Sequence, residues 1–366
     1  MKPRWWMAAG TLTWTLGCGS AGAKPIALGA PEAKLPAVLT QVGDVVELAD
    51  GRIALVELRD RLFLFGDFAD GGMRTVGERA DIAPGEPAPG KYKFPGYVLH
   101  FNGDTLALVD FAAQRTTLWN ERGEFLSVLG LYPVAGPNQP LAYDSLGHAY
   151  KEDYRSVMGG LEPGEKIRSD SLNVIRFPRD GTLGDTVVRL KLPELAEGKF
   201  GEEVKSVSTI FGGRDLFGVL PDGSIWVARA DENRVDWRSP DGRWTPGAKR
   251  PYTKVPVTQA DKDRFLEQAY ASGLQRGVSV SFPFAKFKPP FVLGLTQPSG
   301  EAWLLRSRAA GDSAPVYDVV ARDGTVRPPV QLPVGSTLAG FGKDGAIYLV
   351  LREADGKQAV GRYRLK

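Results

Sequence analysis

Six tight turns recur along this chain, each centred on a glycine and each flanked by short runs of alternating apolar residues. This repeat constrains the fold more than any other feature, because a unit that recurs at fixed spacing must stack on its own copies. The glycines are Gly51, Gly103, Gly147, Gly223, Gly300 and Gly345, at spacings of 52, 44, 76, 77 and 45 residues. After each turn comes a strand-like run: Ile53 to Leu58, Leu106 to Val109, His148 to Tyr150, Ile225 to Val227, Ala302 to Leu305, and Ile347 to Val350. A second turn follows late in several units, at Gly123, Gly181, Gly242 and Gly324. Asp-Gly and similar pairs supply the positive φ that two-residue hairpins require.

A spacing near ~45 residues is that of one four-stranded propeller blade. The expected fold is therefore all-β, a six-bladed β-propeller over residues 36–366. The last unit offers three strands before Lys366, so residues 36–40 are expected to supply its missing outer strand and so close the ring. Two long intervals carry insertions, at 156–171 and 249–290. In the second, Thr258 is positioned to cap a short helix near 258–272, with Phe265, Leu266, Ala269 and Tyr270 on one face. Residues 67–93, with Pro84, Pro87 and Pro89, are expected to form a loop. A seventh blade is the alternative, built from Phe282, Phe284, Phe287 and Phe291.

The N-terminus has the layout of a secretory signal. Lys2 and Arg4 precede an uncharged run from Trp5 to Gly22 that ends in small residues. Residues 1–23 are expected to be this signal and 24–35 a linker. Two cleavage sites compete: one before Lys24, and a lipobox-like stretch ending at Cys18, the only cysteine in the chain, which becomes the lipidation site. A single cysteine rules out an internal disulfide. The formal charge is +3, or +1 once Lys2 and Arg4 are removed, with no long charge run. Nucleic acid is thus no partner, and contact with a membrane is through a lipid anchor alone. The destination is the outer membrane as a lipoprotein, or the periplasm or exterior.

Residues 220–229 (LPDGSIWVAR) and 234–244 (RVDWRSPDGRW) resemble the six-bladed propeller lipoproteins of bacterial envelopes, a group related to NHL-repeat proteins. Residues 288–291 (KPPF) and 361–366 (GRYRLK) are similar too. The resemblance covers most of residues 36–366 and carries no catalytic motif. The group includes binding scaffolds, sensors, and a few lyases or lactonases, so the fold leaves function open.

Motifs of specific chemistry are missing. There are two histidines, His100 and His148, with no metal-ligand spacing. There is no Gly-x-Ser-x-Gly elbow and no phosphate-binding loop. Propellers of the gluconolactonase type hold a divalent cation on the axis, and Glu57, Asp110, Asp153 and Asp231 are the acids near inner-strand exits that could do so, with calcium or another hard ion. The competing reading is that they cap turns. Arg229, Arg234, Trp237 and Arg306 are the candidate ligand-binding residues. Arg229 and Arg306 each follow a tryptophan by three positions, so neighbouring blades would present them on one face to an anion or glycan. The alternative is that they pair with nearby aspartates. The expected function is a non-enzymatic envelope protein binding a protein, peptide or glycan and needing no cofactor. The alternative is a metal-assisted hydrolase or lyase with an axial divalent cation.

Overall fold

A computed structural model of the chain describes residues 23–84, 86–129, 139–154, 171–274, 276–277 and 279–365. Strands β1 (Ile26–Ala27) and β2 (Ala33–Lys34) come first. The first sheet is β3 (Val42–Glu47), β4 (Ile53–Glu57), β5 (Leu62–Gly66) and β6 (Met73–Thr75), in that spatial order. A parallel pair, β7 (Glu78–Arg79) and β8 (Lys91–Tyr92), precedes the second sheet of β9 (Pro95–Asn102), β10 (Thr105–Asp110), β11 (Arg115–Asn120) and β12 (Phe125–Leu129). The third sheet is β13 (Ala142–Tyr143), β14 (Ala149–Asp153), β15 (Ser171–Phe177) and β16 (Asp185–Lys191). A hairpin of β17 (Leu195–Phe200) and β18 (Glu203–Ser208) then leaves the pattern.

The fourth sheet is β19 (Leu216–Val219), β20 (Ile225–Arg229), β21 (Arg234–Arg238) and β22 (Trp244–Thr245). A helix, Gln259–Ala271, and β23 (Val280–Ser281) follow, and β23 pairs with β17. The fifth sheet is β24 (Phe291–Gln297), β25 (Glu301–Arg306), β26 (Val316–Ala321) and β27 (Val326–Gln331). The sixth is β28 (Ser336–Phe341), β29 (Ile347–Arg352) and β30 (Gln358–Tyr363), with β2 on its outer edge. Neighbouring strands within these sheets are antiparallel. The innermost strands β3, β9, β13, β19, β24 and β28 touch one another in a closed circuit. The fold is a β-propeller.

Alternation along the strands explains the packing. Successive side chains point to opposite faces, so each sheet presents one apolar face to each neighbour. Ala54, Val56 and Phe63 of the first sheet meet Leu106, Leu108 and Trp119 of the second. Trp226 and Ala228 of the fourth meet Ala302 and Leu304 of the fifth, and Trp303 of the fifth meets Ile347 and Leu349 of the sixth. Trp119, Trp226 and Trp303 are fully buried between sheets. The repeated turns take the backbone the sequence demands: Gly51 and Gly223 have φ of 86° and 81°.

Three expectations change. Residues 24–35 are not a bare linker, because β1 pairs with β27 and β2 with β30. Closure at residues 36–40 is reduced to a single bridge between Leu39 and Gln358. Pro36 explains this, since it has no N–H to offer a ladder. The stretch 67–93 holds β6, β7 and β8 rather than loop alone. Arg115 pins that stretch from below, donating to the carbonyls of Glu86, Pro87, Ala88 and Lys91. The insertion at 156–171 and the signal residues 1–23, Cys18 included, lie outside the described residues apart from Ala23 and Ser171.

The helix forms where expected. Thr258 caps it in a capping box with Asp261, and Ser272 ends it. Phe265 packs edge-on against Phe282 and Phe284, at ring distances of 5.1 and 5.7 Å, and reaches Phe211. Phe282 in turn meets Phe200 of β17. These phenylalanines seat the helix on the propeller.

Candidate functional site

The acids at the inner-strand exits are occupied by the backbone. Glu57, at the end of β4, accepts from the N–H groups of Thr40, Gln41 and Asp60. Asp110, at the end of β10, accepts from Lys93, Phe94 and Ala113, at 2.7, 3.0 and 3.1 Å. Asp215 does the same for Lys191 and Ala230 and also receives Arg229. All three carboxylates are buried. Each fastens the chain entering an innermost strand to the end of the second strand, which needs an acceptor for N–H groups with no ladder partner. Asp153 is buried at the end of β14 and is also engaged. Asp231 is exposed and pairs with Lys191. Among the described residues no three His, Cys, Asp or Glu side chains come together as a metal group. The proposed set Glu57, Asp110, Asp153 and Asp231 therefore does not fit an axial divalent cation.

The arginines are mostly paired as well. Arg229 bridges Asp215 and Asp236, at 2.8 and 3.1 Å, and lies over the Trp244 ring. Burial alone would lower its pKa, and the bonds to the two aspartates outweigh this and raise it. Arg234 pairs with Glu232 and Asp236. Trp237 is buried in the core between the fourth and fifth sheets. Arg306 pairs with Asp318 at 2.6 Å but is half-exposed, and of the four candidates it alone reaches a pocket.

That pocket has a volume of about 640 Å³ and lies between the helix and the fourth and fifth sheets. The starts of β19 and β24 contribute Leu216 and Phe291, and the end of β25 contributes Leu305 and Arg306. Arg264 and Phe265 descend from the helix, and Phe211 completes an apolar floor. The wall carries five cations, Arg214, Arg264, Lys288, Arg306 and Arg308, against two carboxylates, Asp261 and Asp312. Lys288 is the most constrained. Its Nζ donates to Asp261 Oδ1 at 2.6 Å and to the Arg308 carbonyl at 2.8 Å. An ammonium has three donors, so one is left for a ligand. Asp261 is buried, which alone would raise its pKa, but hydrogen bonds from Lys288 and Thr258 outweigh this and hold it below the usual range. The helix cap and the pocket wall thus share one carboxylate.

Sequence reasoning missed Lys288, Arg264 and Phe211. The one signal available was the helix cap at Thr258, which places Asp261 inward and requires a buried cation to meet it.

No protein-family model matches the chain, and no curated protein does. Solved structures of similar fold do. One is a gluconolactonase from Xanthomonas campestris, 12% identical, TM-score 0.43, covering 93% of this chain and 98% of that one. A PQQ-bound aldose sugar dehydrogenase from Streptomyces coelicolor is 11% identical, with TM-score 0.45 and coverage of 94% and 100%. A protein of Bacteroides fragilis described as exported is 11% identical, with TM-score 0.49 and coverage of 94% and 95%. At such identities the likeness is one of fold. The expectation of a non-enzymatic scaffold is corrected to this extent: two of the matched folds are enzymes, so the fold gives no ground for excluding catalysis. Among the described residues no helix is long and apolar enough to cross a membrane.

Proposed function

We propose that this chain is an exported six-bladed propeller enzyme, a hydrolase or lyase, acting on a small organic anion in the pocket beneath the helix. The observation that carries the reading is the pocket itself, where five cations stand around a phenylalanine floor and two of them, Arg264 and Arg308, hold no ion pair among the described residues, while Arg214, Lys288 and Arg306 pair with Glu152, Asp261 and Asp318. Such a wall favours a carboxylate or similar group, and the floor favours an apolar body beside it. Arg264 lines the pocket and has no ion-pair partner among the described residues. Lys288 supplies the chemistry. Its free donor polarises the carbonyl of an ester or lactone while water adds to the carbonyl carbon, the C–O bond to the leaving alcohol breaks, and that alcohol takes up the proton that the water gives up. Six sheets in one closed circuit support the blade number. The cationic start and apolar run of residues 2–22 support export, with Cys18 as lipid anchor.

The test is turnover of paired lactones and esters that differ in one carboxylate, followed by proton release at constant pH. The acidic member of each pair should be turned over and the neutral member far less. Equal rates, or turnover of neutral members alone, would overturn the reading.

A further inference from the structure

The floor of the pocket includes a turn whose residue choice runs against its backbone. The N–H of Gly212 donates to the Thr209 carbonyl at 2.9 Å and closes a four-residue turn. Its third residue, Phe211, has a φ of 62°, whereas Ile210 before it is not among the residues of positive φ. A turn of that form favours glycine at its third position, because a Cβ there crowds the backbone. Glycine stands one and two places later, at Gly212 and Gly213, neither of which has a positive φ. Those two glycines serve close approach instead: a Cβ on Gly212 would lie 2.8 Å from the Thr209 carbonyl, and one on Gly213 3.2 Å from the Ala230 side chain. Among the described residues of positive φ, Phe211 is the only aromatic one. The turn alone does not account for a ring at this position, since a bulky side chain there is strained and must be held by its surroundings.

Those surroundings converge on the pocket. Ile210 donates its N–H to the Pro283 carbonyl and accepts from the Ala285 N–H, so the turn is fastened to the chain leading to Lys288. The Phe211 ring stacks on Phe284, with centres 6.2 Å apart and planes at 30°. It meets Phe265 of the helix edge-on, at 6.4 Å and 69°. The Lys288 Nζ lies 5.7 Å from the centre of the Phe211 ring. Phe211, Phe265, Lys288, Arg264 and Arg308 all line the one pocket, and Phe211 is half-buried there. Two rings set at a steep angle make an aromatic corner. A flat ring entering it can stack on one and meet the other edge-on, the arrangements that aromatic quadrupoles favour. A saturated body of the same size fills the space without that gain.

We propose that Phe211 is the specificity-determining residue of this pocket, and that the organic anion bound there is an aryl carboxylate, its ring against Phe211 and Phe265 and its charge toward Arg264 and Arg308. The inference rests on the anion reading of the pocket given above and adds the chemistry of the body that the anion carries. Selection of a flat ring accounts for a phenylalanine kept at a backbone position suited to glycine.

The probes are benzoate, cyclohexanecarboxylate and benzamide, titrated into the full chain and followed by ligand-observed NMR. Benzoate should bind about fivefold tighter than cyclohexanecarboxylate, which has the same charge and nearly the same size. Phe211→Leu keeps the strained backbone and an apolar side chain but removes the ring. It should erase that preference and leave the affinity for cyclohexanecarboxylate unchanged. Phe211→Gly, which the turn accepts without strain, should erase the preference too, and it decides the matter if the leucine variant does not fold. A ring that only seats the helix would instead weaken both carboxylates together on substitution, and that result would overturn the proposal. So would absent benzoate binding, equal binding of the two carboxylates by the wild type, or a preference that survives both substitutions. Benzamide is planar and neutral, and its binding as tightly as benzoate would overturn the anion reading itself, so the two failures are told apart.

Discussion

Asp110 accepts three backbone N–H groups with one buried carboxylate. Replacing it with alanine leaves three part-buried donors unmatched, at roughly 1–3 kcal/mol each. Asp110→Ala is therefore expected to lose several kcal/mol of stability in urea unfolding while a surface control such as Asp323→Ala loses little. In the sequence Asp110 and Asp231 are both acids near inner-strand exits, and residue type does not separate them. What separates them is which N–H groups the neighbouring loop leaves free, a fact of tertiary structure. The same holds for Arg229 and Arg306: their equal spacing after Trp226 and Trp303 was legible, and both end their strands. Their partners, Asp215 and Asp318, come from other strands and carry no local signal.

The helix Gln259–Ala271 was legible because its cap, its apolar face and its end are all local. Its role was not, because the pocket it covers is assembled from strands that lie outside the helix's own segment, before it and after it in the chain. Its attachment rests on Asp261, which serves the cap and Lys288 together. The hydrogen bonds from Lys288 and Thr258 hold the carboxyl below its ordinary value in the folded chain. An acid with a depressed folded pKa contributes stability that is present above its unfolded value and is lost as pH falls through the folded one. The helix is thus expected to loosen below about pH 4, and Asp261→Asn to loosen it at neutral pH. Amide exchange across 259–271 checks this: faster exchange in Asp261→Asn, with the core strands unaltered, is the expected result. Thr258→Ala should act in the same direction by about 1 kcal/mol.

The whole molecule is a ring of sheets, and its closure depends on residues near the start of the chain. The repeat itself was readable, since turn glycines and alternating strands are periodic in sequence and each sheet buries one face on each neighbour. The closing strands were harder to read, because β1 and β2 are two residues each and pair with partners some three hundred positions away. Leu28 and Leu35 are nonetheless buried against the fifth and sixth sheets and the first. Deleting residues 24–35 exposes the edge of β30 and uncovers this apolar surface. The deletion is expected to lower the melting temperature by several degrees and to produce aggregates in size-exclusion chromatography.

The central claim is that the pocket beneath the helix turns over an organic anion. The most direct measurement compares wild type with Arg264→Ala on the best acidic substrate found. Arg264 is exposed on the helix and holds no ion pair among the described residues, so its loss should leave the fold intact. KM should rise about tenfold, equivalent to ~1.4 kcal/mol of binding, with kcat nearly unchanged. An unchanged KM in Arg264→Ala would place the reaction elsewhere on the propeller and contradict the account.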